Sequence, residues 1–202
     1  MSSWASTPAG EPLADGLVRG FEYSDCWVQD ARLVVLNCQD AAANGARVMP
    51  RTRCVGAERD EHGWTVSLRS TADGAERQVR VRMLVNAAGP WVGELLGTAT
   101  RHPPERDVQL VKGSHIVVPK LFDHDYAYMF QHTDGRIVFA IPYERDYTLI
   151  GTTDVVYHGD PAQATASREE IDYLLRGGQP LLPQAGDARR RGLDLRRRAG
   201  AV

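Results

Sequence analysis

The 202-residue sequence lacks both of the common glycine-rich patterns that bind phosphate groups. No G-x-G-x-x-G opens a strand–helix–strand unit, and no P-loop G-x-x-x-x-G-K-[ST] occurs anywhere in the chain. Each pattern supplies the backbone N–H groups that cradle a pyrophosphate or a triphosphate. The chain by itself therefore does not contain a complete dinucleotide or nucleoside triphosphate site of either type.

Long apolar runs and cysteines are also scarce. No stretch approaches the ~20 apolar residues of a membrane-spanning helix, and residues 1–16 lack the basic-then-apolar order of a signal peptide. The three cysteines, Cys26, Cys38 and Cys54, show neither a CxxC nor a histidine-rich ligand spacing. An odd number without such spacing argues against a disulfide framework and a zinc site. We expect a cytoplasmic protein whose membrane contact, if any, is peripheral.

A hydrophobic content of 43% is enough for a real core. Residues 1–20 are rich in Gly, Pro, Ala and Ser and predict a loop or an unpacked lead-in. A helix is predicted from Asp30, whose carboxylate can cap the first turn, to a stop at Gly45. The segments 47–60 and 63–70 predict a strand pair, and an Ala-Asp-Gly turn leads from it into a buried strand that ends near Gly89.

The second half of the chain is predicted to be β-rich. Its alternating apolar residues predict strands at 108–118, 126–130, 136–141 and 147–152. Ser167 and Glu170 have the spacing of a capping box and predict a helix that begins there. No internal repeat occurs.

Small residues end the predicted strand in LVNAAGPWVGELLG, residues 84–97. At the carboxyl end of a strand such residues let a phosphate or ribose approach the backbone, and Pro90 suits a first helical turn. The alternative is a tight strand-to-helix turn without a ligand, which the spacing alone favours because such turns are common.

The stretch LVKGSHIVVPK, residues 110–120, places His115 directly after a Gly-Ser pair and ahead of an apolar run. Gly113 permits close approach of another segment, and a rigid strand behind the imidazole suits a group that accepts a proton near neutral pH. A core histidine bonded to a backbone carbonyl explains the pattern equally well. A second strand end, Gly151-Thr152-Thr153-Asp154, has small polar residues that also suit an ordinary turn.

Four longer strings carry a resemblance: RGFEYSDCWVQDARLVVLN, LVNAAGPWV, VKGSHIVVP and RIVFAIPYERDYTLIGTTDV. Together, over residues 7–175, they closely resemble the bacterial FAD-dependent, quinone-linked glycerol-3-phosphate dehydrogenases. The resemblance implies an α/β and α+β fold: a glutathione-reductase-like FAD-binding domain and a β-rich substrate domain of D-amino-acid-oxidase type. On this interpretation residues 21–98 belong to the first domain and 99–175 to the second.

The resemblance also implies the chemistry and the site. The family oxidises sn-glycerol 3-phosphate to dihydroxyacetone phosphate, with hydride transfer from C2 to FAD and electrons passed to quinone at the membrane. His115 is expected to orient the substrate or take its hydroxyl proton, and Thr152 to lie near the same site. Ala88 and Gly89 are expected at the flavin-contacting end of the sheet, and Trp91 on the flavin side. The backbone of Val55 is expected to contact the adenine. The resemblance is compatible with an oligomer.

Two parts of the family pattern are missing. The N-terminal third with its glycine-rich turn is absent, and so is the later region with arginines that bind the substrate phosphate. We therefore expect an internal fragment that is inactive and poorly soluble alone, with unpaired strand edges. Two alternatives remain: another FAD-dependent oxidoreductase acting on a hydroxy or amino acid, and a non-catalytic binding fragment.

The tail 176–202 differs from the family, with seven arginines, two acidic residues and no aromatic residue. Shifting each codon by one base lets the codons from Gln179 onward encode a family-like sequence, in which Trp-Thr-Tyr replaces Leu193–Leu195. This hypothesis of out-of-frame translation requires CTG as the Leu193 codon. A basic arm that binds nucleic acid is the competing interpretation. It is disfavoured because the tail lacks interleaved aromatic residues, so we expect no nucleic-acid partner.

Overall fold

The protein is described by a computed structural model that covers residues 7–17, 19–100, 108–132 and 134–178. The chain divides into two compact units. One contains the described residues of Tyr23–Val108, and the other contains the described residues before and after that range. The assignment of 21–98 to FAD binding and of 99–175 to substrate binding stays a prediction. The tail 179–202, with its predicted frame change, lies outside the described residues.

The described elements are three α-helices, nine strands and two 3₁₀ turns, Gly89–Trp91 and Pro161–Gln163. The helices are α1 (Asp30–Ala43), α2 (Val92–Ala99) and α3 (Arg168–Gly178). The strands are β1 (Thr52–Asp60), β2 (Gly63–Ser70), β3 (Glu76–Val81), β4 (Leu110–Lys112), β5 (His115–Pro119), β6 (Tyr128–Gln131), β7 (Ile137–Tyr143), β8 (Tyr147–Gly151) and β9 (Val155–Tyr157). Within the described residues, none of these helices has both the length and the apolar composition needed to cross a bilayer.

The unit Tyr23–Val108 is built on the antiparallel sheet β1-β2-β3. Its two hairpins confirm the predicted strand pair and the Ala-Asp-Gly turn. Val66 and Leu68 alternate onto one face of β2 and are buried together with Ala57 of β1. A period-two apolar pattern thus produces a sheet with one packed face.

The buried strand predicted between the Ala-Asp-Gly turn and Gly89 is confirmed only in its first part, where β3 spans Glu76–Val81. Its apolar second part is not a strand. Residues 83–88 have no strand assignment, and the side chains of Met83 and Val85 are 76% and 75% exposed. An apolar run of this kind becomes a buried strand when sheet neighbours cover both its faces, and the described part of the chain supplies no neighbouring strand. Leu84 packs against the core of the small sheet, whereas Met83 and Val85 lie exposed.

Helix α1 begins at the predicted residue but is not capped as predicted. Its N-cap is Gln29, which makes no side-chain capping bond, and Asp30 lies inside the first turn. None of the residues of α1, all of which the structure describes, is buried. Leu33, Val34 and Val35 are exposed on it, and such apolar surface agrees with the expected poor solubility, which stays a prediction.

The second unit centres on a four-stranded antiparallel sheet in the order β5-β8-β7-β6. One face of this sheet packs against α3 and forms the core. The buried residues of that core are Ile116, Val118, Leu121, Phe122, Tyr128, Val138, Ala140, Ile150 and Leu174. The predicted strand 108–118 is in fact two strands: it breaks at Gly113-Ser114, where β4 leaves to pair with β9 and β5 joins the large sheet. Strand β9 was not predicted.

The lead-in is a series of turns, as predicted for a loop, but it is not unpacked. Ala9 is buried, and the Tyr128 hydroxyl donates a 2.6 Å hydrogen bond to the Ala9 carbonyl. Leu13 packs against the core of the large sheet. Residues 1–6 and 18 lie outside the described residues.

The capping box at α3 is confirmed. The Glu170 N–H donates to Ser167 Oγ at 3.2 Å, and the Ser167 N–H donates to Glu170 Oε2 at 2.8 Å. The same carboxylate, 6% exposed, forms a 2.7 Å ion pair with Lys112 and accepts hydrogen bonds from the Ser114 and Thr153 hydroxyls at 2.9 and 2.8 Å. Glu170 therefore joins the start of α3 to Ser114, just before β5, and to Thr153, just after β8.

The ion pair and hydrogen bonds of Glu170 make the free energy of unfolding depend on pH in the acid range. Burial alone would raise the pKa of Glu170, but hydrogen bonds, first of all from Lys112, outweigh burial and lower the pKa from 4.5 to about 2. The ionised carboxylate therefore stabilises the fold fully above pH 4.5, and this contribution is lost as the pH falls towards 2.

We expect acidification over that window to cost wild type on the order of 3 kcal/mol more unfolding free energy than Glu170→Gln. Urea unfolding at a series of pH values measures the difference. The control Glu169→Gln, at an exposed neighbouring carboxylate, is expected to keep most of the wild-type pH dependence. Parallel pH profiles for wild type and Glu170→Gln would contradict this account.

Candidate functional site

His115 begins β5 and faces away from α3. Its strand neighbour Ile116 is buried in the core, so alternation directs His115 to the opposite face. In the sheet register His115 pairs with Gly151, and its ring lies directly against that glycine. A Cβ added at Gly151 would overlap ring atom Cδ2 and lie 2.6 Å from Nε2. The absence of a side chain at 151 therefore fixes the place of the imidazole.

A second glycine brings Thr152 close to the start of β5. A Cβ at Gly113 would lie 2.6 Å from Thr152 Oγ1 and 3.0 Å from the Thr153 carbonyl oxygen. The Thr152 hydroxyl donates to that carbonyl at 3.0 Å. Gly113 and Gly151 thus let two chain segments approach closely, and the structure places Thr152 next to the residue that pairs with His115.

The sheet face that carries His115 is apolar and only partly covered in the described structure. Val117, Phe139, Ile141 and Leu149 lie on it, and all four are half-buried. Met129, on the neighbouring strand, is 47% exposed. A histidine and a threonine at the edge of an apolar platform form the arrangement typical of a small-molecule site, in which a few polar groups orient a ligand over hydrophobic walls.

Ala88, Gly89 and Trp91 lie together at the turn that leads into α2, in the other unit. Gly89 has a φ of +54°, a left-handed angle that favours glycine, and it opens the 3₁₀ turn Gly89–Trp91. The Trp91 N–H donates to the Ala88 carbonyl at 3.0 Å, and the Trp91 side chain is 39% exposed. Asn86 fixes the turn, since its amide donates to the Val92 carbonyl at 3.0 Å and accepts from the Ala88 N–H at 3.3 Å.

Val55 occupies a β-bulge in β1. The register shifts between Cys54 and Gly56, and in the described sheet no residue of β2 lies opposite Val55. Helix α2, which follows Trp91, packs on β1. Bulges leave backbone groups outside the ladder and are common beside functional sites. The bulge lies in the same unit as Ala88, Gly89 and Trp91, and the ligand contact expected at the Val55 backbone stays a prediction.

These features fit part of a flavin site. The turn at Gly89 is open, since a Cβ added there meets no atom within 4 Å, and the register of β1 is interrupted at Val55. They do not replace the glycine-rich pyrophosphate turn, which the sequence lacks. In the described residues, no group of three or more His, Cys, Asp and Glu side chains is placed to hold a metal ion.

The sequence did not indicate the structural roles of four residues that shape these sites. Asn86 and Gly151 act through local geometry, and Ser114 and Thr153 bind one carboxylate oxygen of Glu170. An asparagine three residues before a glycine is a recognisable turn signal. The other three depend on strand register, which the local sequence does not specify.

A family model and individual relatives of known name were compared with this chain, and they point to the same kind of protein. The family model described as DAO, FAD dependent oxidoreductase, matches residues 2–201. The chain is 50% identical to the glycerol-3-phosphate dehydrogenase of Pseudomonas aeruginosa and 48% identical to the D-erythritol 1-phosphate dehydrogenase of Brucella abortus, over 82% and 83% of its length. It spans 32% and 34% of those proteins, about a third of each.

A solved structure supports the same family assignment. The glycerol-3-phosphate dehydrogenase of Bacillus halodurans, determined with FAD, superposes with a TM-score of 0.68 at 31% identity. The match covers 77% of this chain and 32% of that one. The family identified from the quoted strings is confirmed, as is the mixed helix-and-sheet fold of a DAO-type protein. The chain belongs to the DAO family of FAD-dependent oxidoreductases.

Proposed function

We propose that this chain is part of a flavoprotein that oxidises sn-glycerol 3-phosphate to dihydroxyacetone phosphate. The observation that carries the proposal is the placement of the His115 ring against Gly151, beside Thr152, on the partly open apolar face of the sheet. The identity of 50% to a glycerol-3-phosphate dehydrogenase supports the substrate. The substrate phosphate is bound by residues outside this third of the protein.

The two units have different roles in this proposal. The unit Tyr23–Val108 belongs to a glutathione-reductase-like FAD-binding domain, and the unit with the large sheet belongs to a substrate domain of D-amino-acid-oxidase type. The positive φ of Gly89 and the bulge at Val55 support the first assignment. Ala88 and Gly89 contact the flavin, Trp91 lies on the flavin side, and the Val55 backbone contacts the adenine.

Oxidation of a secondary alcohol removes a proton from oxygen and a hydride from carbon. FAD, when bound, supplies the acceptor for the hydride of C2. His115 in its neutral form accepts the hydroxyl proton, because an imidazole titrates near neutral pH and a rigid strand holds it. The Thr152 hydroxyl orients the same oxygen. When a ligand covers the half-buried apolar residues around His115, water is excluded from this face, which strengthens both polar contacts.

A second substrate is favoured by a specific observation. The identity to a D-erythritol 1-phosphate dehydrogenase is 48%, nearly the same as the identity to the glycerol-3-phosphate enzyme. Both names denote dehydrogenases of a polyol monophosphate. The longer polyol requires more room beside His115, so a comparison of kcat/KM for the two phosphates decides between them.

The electron acceptor and the location follow from the family. We propose a quinone as acceptor and peripheral contact with the cytoplasmic face of the membrane. The quinone rests on the resemblance to quinone-linked enzymes. The cytoplasmic location is supported by the three cysteines, all of which are free thiols in the structure.

His115→Asn tests the proposed function. The chain is assayed with FAD and a soluble quinone analogue, together with the remaining two thirds of the Pseudomonas aeruginosa relative supplied in trans. We expect turnover of sn-glycerol 3-phosphate, and a fall in kcat on the order of 10²- to 10⁴-fold in the variant, because the proton acceptor is lost. His158→Asn, at an exposed histidine, serves as the matched control and is expected to behave as wild type. Equal rates for both variants would refute the role of His115.

Gly151→Ala tests the contact that fixes the imidazole. The added methyl group would overlap His115 Cδ2, so the ring must move. We expect kcat in the same assay to fall on the order of 10- to 100-fold and unfolding free energy to fall by about 1–3 kcal/mol. Gly97→Ala is the matched control, because a Cβ there meets no atom within 4 Å. An unchanged kcat in Gly151→Ala would show that the ring position does not matter.

A further inference from the structure

We propose that Glu170 is a positioning residue for the site, in addition to its role at the start of α3. Through one carboxylate oxygen it ties together the two chain segments that carry His115 and Thr152. The inference deepens the proposed function and rests on it for its catalytic consequence, although the structural coupling can be measured without any turnover.

The coupling runs through a single oxygen atom. Glu170 Oε1 accepts hydrogen bonds from Ser114 Oγ at 2.9 Å and from Thr153 Oγ1 at 2.8 Å. The two donors are also joined to each other, since the Ser114 N–H donates to Thr153 Oγ1 at 2.9 Å. Ser114 and Thr153 are 3% and 1% exposed. A closed triangle of buried polar groups therefore holds the two segments in one arrangement.

Each donor is the chain neighbour of a proposed site residue. Ser114 precedes His115, and Thr153 follows Thr152. Ser114 and His115 lie on opposite sides of the sheet, because the side chains of successive residues in an extended segment alternate. Glu170 therefore acts from the α3 side on segments whose functional side chains lie on the site side. A small displacement of Ser114 or Thr153 moves the neighbouring residue by a similar amount.

The second carboxylate oxygen prevents Glu170 from adjusting. Oε2 accepts from Lys112 Nζ at 2.7 Å and from the Ser167 N–H at 2.8 Å. Lys112 is fixed in turn, because its ammonium group also donates to the Thr165 carbonyl at 2.8 Å. The carboxylate thus has four partners on two oxygens and holds one orientation.

Helix capping does not account for this arrangement. The capping box uses Ser167 Oγ, the Glu170 N–H and Oε2. The hydrogen bonds to Oε1 contribute nothing to the cap. They join Glu170 to Ser114, which is 56 positions away in sequence, and to Thr153, which is 17 positions away. Both partners flank the proposed site.

The test compares Glu170→Gln with Ser167→Ala by NMR of the ¹⁵N-labelled chain. In Glu170→Gln one carboxylate oxygen is replaced by an NH2 group, which faces donors at either position, so Lys112 loses its counter-ion and the four hydrogen bonds can no longer form together. We expect the backbone amide resonances of His115 and Thr152 and the imidazole resonances of His115 to shift. Ser167→Ala removes the cap hydroxyl and leaves the Oε1 bonds, so it is expected to affect α3 and leave those resonances near their wild-type positions.

Ser114→Ala provides a milder variant if Glu170→Gln does not fold. It deletes one hydrogen bond to Oε1 and is expected to shift the same resonances. If the resonances of His115 and Thr152 move no more in Glu170→Gln or Ser114→Ala than in Ser167→Ala, the positioning role is overturned.

The catalytic consequence is measured in the complemented enzyme. We expect Glu170→Gln to lower kcat on the order of 10- to 100-fold, because a misplaced proton acceptor slows the chemical step, with a much smaller change in KM. A wild-type kcat in Glu170→Gln would overturn the positioning role. An assembled wild-type enzyme that turns over neither polyol phosphate, while the NMR coupling is present, would count against the proposed function and leave the structural coupling in place.

Discussion

A buried carboxylate must have hydrogen-bond partners, and this requirement organises the unit that carries the large sheet. An ionised group without partners in a protein interior costs several kcal/mol. Glu170 avoids that cost with four donors, contributed by Lys112, Ser114, Thr153 and Ser167. These donors come from three separate parts of the chain. Satisfying one charge therefore fixes where α3 begins and how the segments before β5 and after β8 meet.

The two faces of the large sheet differ in what they carry: one packs into the core, and the other carries the proposed site. The face towards α3 holds the core, with Leu174 fully buried. The opposite face holds His115 among half-buried apolar residues. Gly113 and Gly151 allow the two segments to pack closely. Thr152 approaches Gly113, and the His115 ring approaches Gly151, at positions where a Cβ would collide. The tight packing of the core face therefore holds the residues of the proposed site in fixed positions on the opposite face.

Much of this architecture follows from local sequence patterns. The capping box of α3, the hairpins of β1–β3 and the strands that form the large sheet are all set by short-range periodicity and turn residues. The break at Gly113, the bulge at Val55 and the contact of Gly151 with His115 are not, because they arise when distant segments take a common register. The expected strand stops at Val81 instead of continuing to Gly89 for the related reason that a buried strand needs neighbours.

The central claim is that this chain carries only part of a flavin site, and flavin retention tests it most directly. The chain is mixed with FAD, desalted and measured by flavin absorbance, alone and with a segment that carries the glycine-rich turn of the family's N-terminal third. The account predicts retention only when that segment is present, because the chain has no phosphate-binding turn. Stoichiometric retention by the chain alone, or no retention with the segment, would contradict it.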